Sequence, residues 1–349
     1  MYHHRRMTFW KKQGGARPGP RPLLKSTRLV SDVLVALVLA VACAAPARGA
    51  STGASRNVTA ALVSEEVGVQ PGRPFVVGLH MRMRAGWHTY WKNPGDAGLP
   101  LRIKWSLPEG FLAGPIQWPV PERLPDGPVM SYGYEGDVLL PVQITPPSLI
   151  GTGSVTIAGT FEWLECKDVC LPGSAVLDIT IPVLAGAPRP SPAAALFTET
   201  RSRMPQSPAD WSFSAEAGPR AISLAVRVPA GFSSKGAYFF PDQPLVADFA
   251  APQGFERFPG GCRITMTPDP NAKRTPERLS GVLVFDERAG ARPRTALSVD
   301  VPVIAGDPAP APKQSERRAL PNALYVAIFV ILGVGLALLW RFARRPHGT

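Results

Sequence analysis

Proline interrupts this chain about once every nine residues, at 40 of its 349 positions. Inside a helix proline removes a backbone hydrogen bond and clashes with the preceding turn, so this density argues against long helices and for short strands joined by turns. Together with 33 glycines the two residue types reach about 21% of the chain, short of the roughly 25–30% that marks low-complexity disorder. A hydrophobic content of 45% against 18% charge supplies a sizeable core, and the length fits about two domains.

The formal net charge of +12 resembles a nucleic-acid signal only until it is divided along the chain. Residues 1–49 hold nine basic residues and one acid, and Arg341, Arg344 and Arg345 add three more positive charges, which leaves a body of about +1. A nearly neutral body offers no electrostatic footprint for a phosphate backbone, so no nucleic-acid partner is expected.

The basic start precedes an apolar run over 33–45 and the small residues Ala47, Gly49 and Ala50, the order of a secretory signal peptide. Leu39-Ala40-Val41-Ala42-Cys43 also resembles a lipoprotein processing site. Residues 323–340 form an uncharged run of 18 flanked by basic residues on both sides, which reads as one transmembrane helix. The expected protein is exported and held in the inner membrane by a single pass, with its body in the periplasm.

Within the body, β-rich segments at 75–81, 86–91, 101–105, 138–144, 154–164 and 175–181 alternate with Gly/Pro turns. Val155, Ile157, Phe161 and Trp163 alternate with polar neighbours at period two. A Pro/Ala-rich passage and a segment with helical character at 196–204 lead to a second set at 221–228, 236–240, 245–249, 263–267, 278–286 and 295–303. The expected fold is all-β: two immunoglobulin-like β-sandwich domains followed by one C-terminal transmembrane helix. The expected divisions are a signal peptide over 1–49, a first sandwich over 55–185, a linker over 186–208 and a second sandwich over 209–304. A Pro-rich spacer over 305–321, the helix over 322–340 and a cytoplasmic tail over 341–349 complete the chain.

Of four cysteines, Cys43 lies in the leader, leaving Cys166, Cys170 and Cys262 in the body. If Lys167-Asp168-Val169 form a three-residue hairpin loop, Cys166 and Cys170 become facing strand partners at a separation that suits a disulfide. On the chain-entropy model a loop this small is worth only about 2 kcal/mol. A domain of this size has little need of so small a staple, which favours a redox-active pair over a structural one. A zinc or copper site is a third reading, but two thiols without a matching second pair leave its ligand set incomplete, and neither metal nor cofactor is expected. Lys167 favours thiolate at Cys166, while Glu165 and Asp168 oppose it. Cys262 reads as a small buried apolar residue at a strand start.

Three blocks in order, Gly86-Trp87-His88-Thr89-Tyr90-Trp91 through Gly98, Ser131-Tyr132-Gly133-Tyr134-Glu135-Gly136, and Leu164-Glu165-Cys166-Lys167-Asp168-Val169-Cys170-Leu171-Pro172, resemble the amino-terminal periplasmic region of the DsbD/ScsB family of thiol:disulfide interchange proteins. The likeness covers about 57–183, and more loosely Ala237-Tyr238-Phe239-Phe240-Pro241 and 279–284 resemble the second sandwich of the ScsB-like branch. The resemblance implies a cysteine pair that takes electrons from a membrane-embedded thiol reductase and passes them to periplasmic thioredoxin-like proteins. It also implies that His88 and Tyr90 flank the pair and that the stretch 124–132, ending in Tyr132, caps it. Where the family's long forms continue into a multi-span domain and a thioredoxin domain, this sequence has a single cysteine-free apolar run, so a separate protein is expected to reduce the pair. The spacing leaves open which cysteine attacks. The rival from another class is a non-catalytic two-sandwich scaffold with a static disulfide, docking through Trp87, Trp91 and Trp105 on a membrane complex or on copper-handling proteins.

Overall fold

The computed structural model describes residues 51–286, 295–306 and 308. The expected leader with Cys43, the transmembrane helix, the tail and nearly all of the spacer lie outside the described residues. Among the described residues no helix is long and apolar enough to cross a membrane.

Strands β1 (Thr52–Ala54), β2 (Val58–Ser64), β3 (Phe75–Met83), β4 (His88–Gly95), β5 (Arg102–Ser106) and β6 (Leu112–Ile116) open the fold. They are followed by β7 (Glu122–Asp126), β8 (Val129–Glu135), β9 (Asp137–Thr145), β10 (Ser154–Cys166) and β11 (Cys170–Pro182). One sheet runs β1-β2-β3-β9-β6, and a second runs β11-β10-β4-β8-β7 with β5 also on β10. Period-two burial follows from the alternation of side chains across a strand. In β2, Val58, Ala60, Leu62 and Ser64 are buried while Thr59 is exposed, and in β10 Ile157, Phe161 and Trp163 turn inward. The buried residues of both sheets belong to one hydrophobic cluster.

Helix α1 (Ala194–Ser202) falls within the expected connecting segment and packs on the first strand set. Phe197 is 1% exposed, and its ring lies against Gly78 of β3, where an added Cβ would stand 3.2 Å from it.

Beyond α1 come β12 (Ser212–Ala217), β13 (Ile222–Arg227), β14 (Ala237–Pro241), β15 (Gly254–Phe258), β16 (Gly261–Met266), β17 (Arg278–Phe285) and β18 (Ala296–Ala305). Hydrogen bonds join all seven strands in one path, β14-β17-β18-β12-β13-β16-β15. The join is made by β18, which pairs antiparallel with β17 from Ala296 to Pro302 and then parallel with β12 at Val303, Ile304 and Ala305. The expected strand at 245–249 is not formed: Leu245 has φ of +59°, which breaks the extended chain, and only an isolated Ala247–Pro268 bridge remains. Cys262 takes its expected place in β16, buried, with its thiol pushed up to about 11 by burial.

The two sets of strands meet at the far end of β4. The Asn93 amide, 1% exposed, donates to the carbonyls of Pro241 at 2.7 Å and Gln243 at 3.2 Å. Lys92 reaches Asp242 at 2.6 Å, and Trp91 meets the edge of Phe240. Gly95 permits this bend: its φ is +85° and a side chain there would stand 2.4 Å from the Met130 carbonyl. Because Asn93 satisfies buried carbonyls, Asn93→Ala is expected to destabilise the protein by about 1–3 kcal/mol. The measurement is thermal unfolding followed by circular dichroism; a melting temperature equal to that of the unsubstituted protein contradicts the expectation.

Candidate functional site

Strands β10 and β11 form one long hairpin in unbroken antiparallel register from Ser154↔Pro182 to Cys166↔Cys170. Lys167, Asp168 and Val169 are left as the three-residue loop, closed by the Lys167 amide donating to the Val169 carbonyl at 3.2 Å. The register brings the two Cα atoms to 4.2 Å, and the cysteines are joined as a disulfide. Burial separates the two sulfur-bearing residues. Cys166 is 1% exposed, whereas Cys170 lies on the surface beside Val169, which is 59% exposed.

Pairing carries this row across the sheet. Cys170 faces Cys166, Cys166 pairs with His88 on β4, and His88 pairs with Glu135 on β8. Partners directly opposite in an antiparallel pair point to the same face, so the four share one side of the sheet. Tyr90, two residues beyond His88, projects to that side as well. Its hydroxyl lies 3.5 Å from Cys170 Sγ and 3.4 Å from His88 Nε2, and the two rings meet edge to face. Gly98 holds the Tyr90 ring in place by close approach, since a Cβ there would stand 2.2 Å from it.

Electrostatics around the row are mixed. Burial lowers the His88 pKa, against the upward pull of Glu135 and Asp126. Burial, with a contribution from Asp126, raises that of Tyr90. Lys167 is exposed in the loop, with its stem against Gly86, where an added Cβ would stand 3.3 Å from its Cε.

Tyr132 lies elsewhere. Tyr90 pairs with Gly133, so the neighbouring Tyr132 projects to the opposite face of the same sheet. There it is fully buried, its hydroxyl is 2.8 Å from that of Tyr238, and its ring meets Phe240 and Phe249. It joins the two strand sets instead of covering the disulfide. The expected capping stretch is the β7–β8 hairpin, and its Asp126 acts electrostatically on both His88 and Tyr90. The tryptophans expected on a docking surface are core: Trp91 is 1% exposed, and Trp87 and Trp105 pack partly buried against the hydrophobic cluster.

Glu165, next to Cys166, has partners of its own. It projects to the other face, is 1% exposed, and accepts from Asn57 Nδ2 at 3.1 Å and from the Ser55 hydroxyl. These partners sit 108 and 110 residues away in the chain, and no local motif announces them. The pairing ties the segment between β1 and β2 to the hairpin tip.

Comparison with known proteins bears on the same stretch. Residues 59–181 match the family described as "Thiol:disulfide interchange protein DsbD, N-terminal". The crystal structure of the N-terminal periplasmic domain of ScsB from Proteus mirabilis aligns with a TM-score of 0.53 at 16% identity, covering 73% of this chain and 97% of that one. At that identity the likeness speaks for the fold alone. No curated protein matches the chain. The hairpin that carries the disulfide lies inside the matched stretch, so residues 59–181, the disulfide included, are similar to the N-terminal region of DsbD.

Proposed function

We propose that this protein is a membrane-tethered periplasmic thiol:disulfide interchange module, which receives electrons from a separate membrane-embedded reductase and hands them to thioredoxin-like partners through Cys166 and Cys170. The observation that carries the reading is the pairing of one buried and one exposed cysteine at the tip of a hairpin within the family-matched stretch. The family match supports thiol-redox partners, and the basic-apolar leader with the apolar run at 323–340 supports export and anchoring.

Thiol–disulfide exchange requires a thiolate to approach a sulfur in line with the bond it breaks, so access selects the reacting atom. In the reduced protein the exposed Cys170 attacks the partner's disulfide and forms a mixed disulfide, releasing one partner thiolate. Cys166 then attacks the Cys170 sulfur and expels the second. The partner gains two electrons and, with two protons, becomes a dithiol, while the Cys166–Cys170 bond is restored. The buried Cys166 is protected from meeting other thiols during the cycle, and the exposed Val169 beside Cys170 provides an apolar contact for the partner's active-site surface.

Single cysteine variants test both the reaction and its direction. Cys166→Ala leaves Cys170 without a resolving thiol and is expected to accumulate disulfide-linked complexes, visible on non-reducing gels and dispersed by dithiothreitol. Cys170→Ala is expected to accumulate few. Absence of complexes with either variant contradicts exchange, and the reverse distribution overturns the assignment of Cys170 as the attacking residue.

A further inference from the structure

We propose that His88, acting through the Tyr90 hydroxyl, accepts the proton of the Cys170 thiol and so sets the pH range in which the pair reacts; the inference rests on the interchange reading above. Three atoms lie in sequence, with Cys170 Sγ 3.5 Å from Tyr90 Oη and Tyr90 Oη 3.4 Å from His88 Nε2. A hydroxyl both donates and accepts, so it can pass on a proton it never loses. Hydrogen bonds of a proton relay are commonly long before the reacting partner arrives and shorten in the complex.

In the reduced protein the thiol of Cys170 donates to the Tyr90 oxygen, and the Tyr90 hydroxyl donates to Nε2 of a neutral His88. As the partner's disulfide approaches, the thiol proton moves to the Tyr90 oxygen while the Tyr90 proton moves to Nε2. The products are a Cys170 thiolate and a His88 imidazolium, with charge conserved. The thiolate then forms a bond to one partner sulfur and breaks the partner's S–S bond. The imidazolium returns its proton to the released partner thiolate through solvent.

The surroundings fit this transfer. The Tyr90 ring meets the His88 ring edge to face, Gly98 closes on the Tyr90 ring, and Cys166 on β10 lies directly opposite His88. Glu135 on β8, opposite on the other side, and Asp126 on β7 are the acids that act on His88 and stabilise its charged form. Lys167, in the β10–β11 loop over Gly86, is the basic residue on the hairpin side. Burial opposes protonation and keeps the imidazole neutral as an acceptor near neutral pH, and it raises the Tyr90 pKa so that the hydroxyl relays without ionising.

The test is the rate at which the reduced full chain reacts with oxidised glutathione from about pH 5 to pH 9. The unsubstituted protein is expected to slow as pH falls through the histidine range, below about 6.5. His88→Phe and Tyr90→Phe are each expected to slow the reaction about tenfold at neutral pH, the effect of one pKa unit on thiolate fraction, and to lose the histidine limb. His88→Gln, which keeps a polar side chain without a base, is expected to behave as His88→Phe does. At alkaline pH, where the thiolate forms unaided, all variants are expected to converge with the unsubstituted protein. Profiles that coincide with it, or that lie below it by a constant factor at every pH, overturn the relay while leaving interchange intact. An unsubstituted protein inert at every pH overturns the interchange reading itself.

Discussion

The register of the β10–β11 hairpin is the constraint on which the site depends. Side chains alternate across a strand, so a slip of one residue against β11 would carry Cys166 to the opposite face and leave Cys170 facing Glu165. Many paired positions between Ser154↔Pro182 and Cys166↔Cys170 hold that register, and Ile157, Phe161 and Trp163 pin it by burial on one side only. The sulfur atoms are therefore placed by the apolar face of a strand whose contacts lie mostly far from them. The Glu165 contacts with Ser55 and Asn57 fix the last turn of that face against the beginning of the described chain.

Strand β4 connects the site with the rest of the molecule. At its start His88 and Tyr90 stand beside the disulfide, and at its end Asn93 and Lys92 hold the second strand set. Between them Trp91 projects to the core face and meets Phe240. Trp91 and Asn93 thus pack on the second strand set from the face opposite His88 and Tyr90, which follows from the strand's period-two geometry. Tyr132 on β8 obeys the same rule, packing on Tyr238, Phe240 and Phe249 rather than at the sulfurs.

The features legible in the sequence are the local ones. The three-residue loop between cysteines, the alternation in β10 and the buried Cys262 each depend on neighbours a few positions away, and each is found as expected. What the sequence does not show depends on distant partners. Family likeness placed Tyr132 over the pair, but its face is set by Gly133 opposite Tyr90, and its partner Tyr238 lies 106 residues on. The pairing of Glu165 with Asn57 spans 108 residues and has no local marker. The segment at 245–249 has the composition of a strand, but the left-handed backbone at Leu245 has no marker such as glycine to announce it. The joining of seven strands by β18 follows from a parallel pairing with β12 that no short-range pattern encodes.

The central claim is that the Cys166–Cys170 bond opens and closes during function. The most direct measurement is its reduction potential, from equilibration of the full chain with dithiothreitol redox buffers and alkylation of free thiols. The account predicts a potential well above about −300 mV, in the range of exchanging pairs. A value below about −300 mV would mark the bond as a permanent staple and contradict the account.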